Sequence, residues 1–359
     1  MKIKNIMHLE ASAGWGGQEM RILKESLGMK NLGYNVLIAV EKNGGLYQQA
    51  IEKNIKTYEI RFKKIFWFFS FFKLIYIILK NKIDLIVTHS SSDSWLGGIL
   101  GKIFKIKVIR TRHLSTTIRK GLNSRILYGY LADFVITTCT EIVTVISEQS
   151  KKNINKIKCI PTGIDQDVIK VSDEEIINFK EKHLLQNSFL VGTACFMRSW
   201  KGIDDFLNAA KLLEKENIKF LIIGGGHSEK YINLAKELKL QNVFFTGHLE
   251  NPYPAIATLD IFLLLSTAHE GISQASLQAA FLKKPLITTR TGGLKEVCID
   301  NFNGINVSNN SPLEIKSAIM KIKNDNKMKE KFGENSSIII KKFTIENMLL
   351  ETDKIYNNL

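Results

Sequence analysis

The chain alternates short apolar runs with longer amphipathic segments along most of its length. In the first half, the runs that predict strands are residues 3–8, 35–40, 57–60, 85–88, 107–111, 134–137 and 144–146. The segments that predict helices are residues 18–32, 45–53, 66–80, 94–103, 122–132 and 148–153. Short apolar runs bounded by turn residues are typical of strands that are buried on both faces.

The second half repeats this pattern. It predicts strands at residues 190–195, 219–223, 243–246, 261–265 and 286–289, and helices at residues 203–216, 229–238, 254–257, 273–282 and 312–324. Strands that alternate with helices indicate parallel sheets, and two such series indicate two Rossmann-like α/β domains.

The length agrees with this division, because 359 residues exceed one ordinary core and suit two domains of about 150–200 residues each. The predicted boundary follows the segment PTGID at residues 161–165, where a polar and acidic stretch begins. We therefore expect an N-terminal domain over residues 1–165 and a C-terminal domain over residues 166–340. The last segment, residues 341–359, has helical composition.

The net charge of +15 is concentrated in two windows of the first half. Residues 53–82 hold eight Lys or Arg and one acid, and residues 94–132 hold eight Lys or Arg and no acid. A basic surface of this kind attracts an anionic membrane, a phosphorylated acceptor or nucleic acid, although it can also be a solvated face in a lysine-rich chain.

The cysteines and the first residues both favour an intracellular protein. The four cysteines lie far apart, without the spacing of a zinc site or a disulfide framework, which favours a reducing cytoplasm. The opening sequence MKIKNIMHLEAS is too short and polar for a signal peptide and is interpreted as a first strand.

The run IFWFFSFFKLIYIIL, residues 65–79, admits three interpretations. It can be a helix packed on the N-terminal sheet, or a helix whose aromatic start enters the membrane interface beside flanking lysines. The third interpretation is a transmembrane helix. It is disfavoured because a transmembrane helix needs about 20 residues, whereas this run has fifteen and is interrupted by Lys73.

The most specific chemical feature is the stretch from Ser266 to Val297, STAHEGISQASLQAAFLKKPLITTRTGGLKEV. A buried strand leads into a loop with Glu270 and Gly271, and a helix follows from Ser273. Such a strand–loop–helix directs backbone N–H groups and the positive end of the helix dipole at an anion, which suits a phosphate. The loop residues Gly271, Ile272 and Ser273 are therefore candidate donor-binding residues, and Glu270 can accept hydrogen bonds from sugar hydroxyls.

This stretch resembles the nucleotide-sugar signature of glycosyltransferase family 4, which comprises retaining enzymes of GT-B fold. The family pattern is Glu, seven residues, Glu; the first Glu is Glu270, but the second position holds Gln278. In the family the second Glu binds the ribose hydroxyls of the nucleotide. An amide can replace one such bond, but a charge-assisted bond of about 1.5–3 kcal/mol becomes a neutral one of about 0.5–1.5 kcal/mol.

Two further elements of the first half follow the family's order. The loop SAGWGGQE, with Gly16 and Gly17 before a helix, resembles the family's Gly-Gly-x-Glu element and lets backbone approach a ligand. His113 follows a predicted strand, where open α/β sheets place their ligands, and it matches a histidine that contacts the transferred sugar in the family. The neighbouring Arg110 and Arg112 could meet an anionic acceptor.

In the second half, Arg198 and Lys201 follow a predicted strand directly, in the sequence CFMRSWKGIDDF. In the family a basic pair at this place neutralises the nucleotide diphosphate, which is electrostatic catalysis as the leaving group gains charge. The glycine turn that includes Gly225 lets backbone approach the nucleotide. The catalytic candidates are therefore His113, Glu270, Lys201 and Arg198, and the donor-binding candidates include Gly16, Gly17, Gly225 and Gln278.

Asp165-Gln166-Asp167 spells the metal-binding DxD motif of the other large glycosyltransferase fold. It lies in the interdomain segment rather than at a strand end beside a nucleotide site. We therefore expect no metal and no cofactor, with the nucleotide-diphosphate sugar as co-substrate.

The resemblance implies two Rossmann-like domains facing across a cleft, with the final helix returning to the N-terminal domain. It also implies a retaining glycosyltransferase that transfers a sugar to a saccharide or lipid-linked acceptor in lipopolysaccharide or polysaccharide biosynthesis. The basic, aromatic N-terminal domain suggests a cytoplasmic enzyme that is peripheral on the inner face of the cell membrane.

The sequence is also compatible with three alternatives. A sugar-nucleotide 2-epimerase shares the fold but should show additional carboxylates and histidines. A non-catalytic nucleotide-binding subunit is favoured only by Gln278. A nucleic-acid binder is suggested by charge alone, and no nucleic-acid motif is present.

Overall fold

The computed structural model describes residues 3–114 and 118–359. The chain divides into two units: the N-terminal unit holds residues 1–163 and 345–359, and the C-terminal unit holds residues 164–344. Each unit is built around one parallel sheet, so the predicted pair of Rossmann-like α/β domains is confirmed.

The sheet of the N-terminal unit has seven strands in the order β3-β2-β1-β4-β5-β6-β7, all parallel. The strands are β1 (Asn5–Glu10), β2 (Asn35–Glu41), β3 (Lys56–Ile60), β4 (Leu85–Thr88), β5 (Lys107–Arg112), β6 (Phe134–Thr137) and β7 (Ile157–Cys159). Adjacent residues of β1, such as Ile6 and Met7, are both fully buried because the sheet is covered on both faces.

The first helices of this unit are α1 (Gly17–Asn31), α2 (Gly45–Glu52), α3 (Trp67–Asn81), α4 (Ser91–Phe104), α5 (Leu122–Ser124) and α6 (Glu141–Ser150). A π-helical turn, Arg125–Tyr130, continues α5. Helices α3 and α4 pack on one face of the sheet through side chains such as Leu74, Ile77 and Leu100.

The C-terminal unit has six parallel strands in the order β10-β9-β8-β11-β12-β13. They are β8 (Phe189–Ala194), β9 (Ile218–Ile223), β10 (Val243–Gly247), β11 (Ile261–Leu264), β12 (Leu286–Thr289) and β13 (Gly304–Val307). The helices are α7 (Asp173–Lys182), α8 (Ile203–Leu212), α9 (Ser228–Glu237), α10 (Tyr253–Ala257), α11 (Gln274–Phe281), α12 (Leu294–Val297), α13 (Pro312–Lys323) and α14 (Asn326–Ile340).

The ends of the C-terminal unit meet. The backbone N–H of Ile164 donates to the carbonyl of Phe343 at 2.8 Å, and Ile164 pairs in parallel with Thr344. After this point the chain forms the last helix, α15 (Ile345–Asn357), which belongs to the N-terminal unit. There Met348, Ile355 and Tyr356 are buried beside Ile6 and Met29.

Helix α3 has two contrasting faces. Ser70, Leu74, Ile77 and Ile78 are buried on the sheet, whereas Phe68, Phe69, Phe72, Tyr76 and Leu79 are between 55% and 73% exposed. No helix among the described residues is long and apolar enough to cross a membrane. Packing on the sheet accounts for the buried face of α3 but not for its exposed aromatic face.

Five parts of the chain differ from the sequence-based prediction. Residues 144–146 were predicted as a strand but lie in α6, where Ile142 and Ile146 are one turn apart on the buried face. The β-branched composition favoured a strand, and tertiary packing prevailed. The pattern also missed the short strands β7 and β13 and the mostly polar helices α7 and α14.

A buried ion pair within α1 is hydrogen-bonded to α15. Arg21 and Glu25 are both fully buried, with Nε and Oε2 3.7 Å apart. The hydroxyl of Tyr356 donates to Glu25 Oε1 at 2.9 Å, and Arg21 Nη1 donates to the carbonyl of Ile160 at 2.6 Å. A charge without water needs such partners, so this cluster fixes α15 against α1.

Replacing Tyr356 with Phe tests this cluster. Loss of the hydroxyl leaves the buried Glu25 carboxylate without its neutral donor, and we expect the free energy of unfolding in urea to fall by about 1–3 kcal/mol. The matched control is Tyr130→Phe, because Tyr130 is 66% exposed. It should change the free energy by no more than about 0.5 kcal/mol. Equal stabilities of the two variants would contradict the assignment.

Candidate active site

In both sheets the strand order reverses beside the first strand of the unit, between β1 and β4 and between β8 and β11. Ligands of open α/β sheets bind outside the carboxyl ends of the strands at such a reversal. Most of the candidate residues from the sequence lie at these two places.

In the C-terminal unit, Lys201 and Glu270 form an ion pair between Nζ and Oε1. Ser266 Oγ donates to the same carboxylate oxygen at 2.7 Å, and the Glu270 carboxylate is almost fully buried. The Glu270 carbonyl accepts from the N–H of Gly293 at 3.1 Å. Two loops predicted separately from sequence are therefore held together by a buried carboxylate.

Backbone contacts also join these loops. Gly202 has a φ of +67°, and a Cβ there would lie 2.1 Å from the Leu265 carbonyl oxygen at the end of β11. The N–H of Thr267 donates to the Trp200 carbonyl at 2.8 Å. Only glycine tolerates both the left-handed backbone and this close approach, so Lys201 is held over the carboxyl end of β11.

Arg198 is exposed, and aromatic rings support it. Its guanidinium carbon lies 5.1 Å from the ring centroid of Phe196 and 5.2 Å from that of Trp200. Such cation–π contacts restrain a long side chain without neutralising its charge. The preceding loop is bound to the glycine turn, because the N–H of Met197 donates to the Gly225 carbonyl at 2.8 Å.

The segment after β11 forms the loop and helix that the sequence predicted. Ser273 caps α11 and accepts from the N–H of Ser276 at 3.4 Å. A Cβ on Gly293 would lie 2.7 Å from the carbonyl carbon of Gly271, so two glycine-containing turns are in close contact before Ile272. Gln278 lies on α11, one turn beyond the first residue of the helix, and is half-buried.

In the N-terminal unit, Gly16 is the residue before α1, and Gly17 is its first residue. The following Gln18 donates through Nε2 to Glu10 Oε2 at 2.5 Å and to Ser90 Oγ at 3.1 Å. Glu19 is buried, in line with a structural role. The glycine loop is thus connected to the ends of β1 and β4.

His113 lies just after β5 and is hydrogen-bonded to a second histidine. Its Nε2 is 3.0 Å from His89 Nδ1, and its carbonyl accepts from Thr138 Oγ1 at 3.0 Å. Burial and the nearby Arg21, Arg110 and Arg112 hold the pKa of His113 well below its usual value. The ring is therefore neutral at neutral pH.

Arg110 is bound by groups of its own unit, whereas its position in the sequence suggested contact with an anionic acceptor. It is buried, donates to the Ser90 carbonyl at 2.9 Å and to the Tyr128 hydroxyl at 3.2 Å, and lies over the Tyr128 ring. These contacts use its charge to organise the loop after β4. We assign it a structural role rather than direct binding of an acceptor.

Sequence reasoning missed the buried carboxylates of this unit. Glu10 Oε1 accepts from Ser90 Oγ and from the N–H of Ser12, each at 2.6 Å, and Asp93 accepts from the N–H of Ser90 at 2.9 Å. Burial and the charge of Asp93 raise the pKa of Glu10 to about 8, and burial raises that of Asp93 to about 6. The sequence offered one indication of the Glu10 site, because Glu10 lies between the predicted strand at residues 3–8 and the glycine loop.

Within residues 3–114 and 118–359, no group of three His, Cys, Asp or Glu side chains is arranged to hold a metal ion. Asp165 is half-buried, and the exposed Asp167 lies 3.6 Å from Lys170.

The Glu10 pKa predicts a pH dependence of stability. The folded protein binds this proton more tightly than the unfolded chain, since the pKa rises from 4.5 to about 8. The stabilisation is complete below pH 4.5 and is lost as the pH rises through about 8. We expect the uncharged variant Glu10→Gln to lose less stability than wild type over this interval, measured by urea unfolding.

The control for this prediction is Glu148→Gln, which changes an exposed carboxylate of the same unit. Its pH profile should follow that of the wild type. If Glu10→Gln also followed the wild-type profile, the raised pKa would be wrong.

Comparisons with known proteins agree with this geometry. Residues 15–168 match the sequence model of Glycosyltransferase Family 4, and residues 175–338 match that of Glycosyl transferases group 1. The chain is 25% identical over 308 residues to the capsular polysaccharide biosynthesis glycosyltransferase CapM of Staphylococcus aureus, covering 80% of each protein. It is 24% identical to an Escherichia coli UDP-Gal:alpha-D-GlcNAc-diphosphoundecaprenol alpha-1,3-galactosyltransferase, covering 71% of this chain and 70% of that relative.

Among solved structures, HepE of Anabaena in complex with UDP superposes over 100% of both chains with a TM-score of 0.88 and 19% identity. At this identity the likeness concerns the fold, which is GT-B.

Proposed function

The chain belongs to glycosyltransferase family 4 (group 1), and we propose that it is a retaining enzyme that transfers a sugar from a uridine-diphosphate sugar to a lipid-linked saccharide. The observation that carries this proposal is the Lys201–Glu270 pair at the reversal of strand order, within the segment that matches the group 1 model. The choice of uridine rests on the UDP bound to HepE and on the UDP-Gal named for the Escherichia coli relative.

In the proposed site, Arg198 and Lys201 bind the diphosphate of the donor. Lys201 is already held by Glu270, whereas the guanidinium of Arg198 is exposed and supported by two rings. As the bond between the anomeric carbon and the diphosphate breaks, negative charge grows on the leaving oxygen. Two preorganised cations stabilise that charge more in the transition state than in the ground state.

The remaining donor contacts come from the loop after β11. The backbone N–H groups of Gly271, Ile272 and Ser273 precede α11, and the helix dipole favours an anion there. Gly225 offers backbone to the nucleotide, and Gln278 donates or accepts one hydrogen bond with a ribose hydroxyl. Glu270 accepts hydrogen bonds from hydroxyls of the transferred sugar.

Within the N-terminal unit, His113 is the proposed contact to the transferred sugar, and the glycine loop of Gly16 and Gly17 is the proposed backbone contact to a substrate. The acceptor hydroxyl forms the new bond to the anomeric carbon from the face that the diphosphate leaves. Its proton passes to the departing phosphate oxygen, so no separate base and no metal ion is needed. Front-side attack of this kind retains the configuration of the anomeric carbon.

Calorimetry with UDP, GDP and ADP tests the donor site. UDP should bind to the wild type, and Lys201→Ala should weaken binding about tenfold or more, since a charge-assisted contact is lost. Gln278→Glu should tighten binding about tenfold by restoring a charge-assisted bond to the ribose.

The control for these variants is Lys215→Ala, which removes an exposed lysine of the same unit. Its affinity should equal that of the wild type. Binding of GDP or ADP in preference to UDP would correct the base, and no binding at millimolar concentration would favour a non-catalytic subunit.

We also propose that the enzyme works on the cytoplasmic face of the cell membrane. The exposed face of α3 carries Phe68, Phe69, Phe72 and Tyr76, and Lys63, Lys64, Lys73 and Lys80 flank it. Apolar side chains with adjacent lysines suit the interface of an anionic bilayer. The diphosphoundecaprenol acceptor named for the Escherichia coli relative supports a lipid-linked acceptor here.

A concave surface beside this face strengthens the membrane proposal. It is lined by Lys42, Arg61 and Lys73 together with Phe66 and Phe69. Three cations next to the half-buried ring of Phe66 and the exposed ring of Phe69 match the phosphates and acyl chains of an anionic lipid surface, although Glu59 lies at the same concave surface.

Sedimentation with vesicles tests this face of α3. The wild type should pellet with phosphatidylglycerol vesicles at low salt and much less with phosphatidylcholine vesicles. The triple variant Phe68→Ser/Phe69→Ser/Phe72→Ser should bind these vesicles with an affinity that is lower by about tenfold or more, because exposed apolar area is lost.

The matched control is Leu184→Ser/Leu313→Ser, which removes apolar residues that are 73% and 67% exposed in the C-terminal unit. This variant should pellet like the wild type. Failure of the wild type to bind phosphatidylglycerol vesicles would remove the membrane proposal and leave the transfer reaction intact.

A further inference from the structure

Three histidines from three adjacent strands of the N-terminal unit form one hydrogen-bonded chain. His8 lies in β1, His89 follows β4, and His113 follows β5. His8 Nδ1 is 3.0 Å from His89 Nε2, and His89 Nδ1 is 3.0 Å from His113 Nε2. Only His113 is at the surface, since His8 is fully buried and His89 is 4% exposed.

The rings meet edge to edge rather than face to face. The ring centroids of His8 and His89 are 5.3 Å apart with planes inclined by 10°, and those of His89 and His113 are 5.2 Å apart and inclined by 33°. The facing nitrogens are much closer than the centroids, so each nitrogen–nitrogen line runs outward from both rings. This is the geometry of a direct N–H···N hydrogen bond.

Burial lowers the pKa of all three rings, which are therefore neutral. A neutral imidazole carries one proton, and each N···N contact must hold one. Only two arrangements satisfy both contacts. Either every ring carries its proton on Nε2, or every ring carries it on Nδ1, so the three tautomers change together.

The charges at the two ends favour protons on Nε2. At the inner end, the negative charge of Glu25 acts on His8, and the nitrogen of that ring that does not face His89 is Nε2, which has no hydrogen-bond partner among the described residues. A negative charge beside this end of the chain favours an N–H at Nε2. At the outer end, Arg110 and Arg112 act on His113, and their positive charge favours a bare nitrogen there. Arg21 acts on His89 and His113 in the same unit and also disfavours added positive charge on those rings.

We infer that His8 and His89 are positioning residues that hold His113 in the Nε2–H tautomer, with Nδ1 as a hydrogen-bond acceptor for a substrate hydroxyl. This inference rests on the proposed sugar transfer for its substrate. It does not rest on it for the tautomer, which is a property of the protein alone. A fixed acceptor selects a hydroxyl at this place and does not pair with a carbonyl oxygen.

The test is NMR spectroscopy of the full chain labelled with ¹⁵N-histidine. Long-range ¹H–¹⁵N correlations distinguish the two neutral tautomers, and the chain has only seven histidines to assign. In the wild type, His8, His89 and His113 should all be neutral Nε2–H tautomers. An Nδ1–H tautomer at His113 would overturn the inference.

Two variants of His8 test whether the rings act together. Asn places an amide oxygen near the position of Nδ1, so His8→Asn should keep the acceptor for His89 and the Nε2–H tautomer of His113. His8→Leu removes that acceptor and should give a mixture of tautomers at His113. A urea midpoint for each variant shows whether it is folded. An unchanged His113 spectrum in folded His8→Leu would overturn the coupling.

Transfer kinetics add a functional readout. In His8→Leu, kcat should fall about three- to tenfold with the KM for the donor almost unchanged, and His8→Asn should recover most of it. If no transfer is detected in any form, the proposed function fails while the spectra still decide the tautomer. If transfer is robust and the spectra show no coupling, the function stands and the positioning role is wrong.

Discussion

In an all-parallel sheet, the connections that leave neighbouring strands diverge only where the strand order reverses, and each sheet here reverses once. Many of the buried polar side chains that the candidate sites use lie at these reversals. In the C-terminal unit the loops after β8 and β11 are joined through Glu270, and in the N-terminal unit the ends of β1, β4 and β5 supply carboxylates and imidazoles. The divergence of the connections leaves space for a ligand, and the buried side chains define its shape.

The two sites avoid unpaired buried charge in different ways. The C-terminal site joins opposite charges, because Lys201 neutralises the buried Glu270 and Gly202 permits the close approach. The N-terminal site instead limits the number of charges, because burial keeps Glu10 and the histidines largely uncharged near neutral pH, while Arg110 is held by hydrogen bonds. Both solutions avoid leaving an unpaired charge without water, which would cost several kcal/mol.

The sequence revealed the fold well because its strands are apolar runs and its connections are short. It failed where local composition and tertiary context disagreed. Residues 144–146 are β-branched but helical, and α7 and α14 present too little apolar surface for a clear periodic signal. The site in the C-terminal unit was accessible to sequence reasoning because each of its loops carries its candidate residues in one short stretch that follows a predicted strand, although Lys201 and Glu270 are 69 residues apart. The histidine chain was not, since His8, His89 and His113 come from separate strands and only the sheet order makes them neighbours.

The closure of the C-terminal unit between Ile164 and Thr344 makes that unit an insertion within the N-terminal one. The C-terminal unit is one continuous segment, so all of it can emerge from the ribosome soon after residues 345–359 have been translated. The N-terminal unit, in contrast, cannot be completed before the C-terminal unit has been translated, because Met348, Ile355 and Tyr356 follow that unit along the chain. Until then, the apolar surface around Met29 and the buried pair of Arg21 and Glu25 lack their cover. A nascent chain must therefore protect that surface through the synthesis of the entire C-terminal unit.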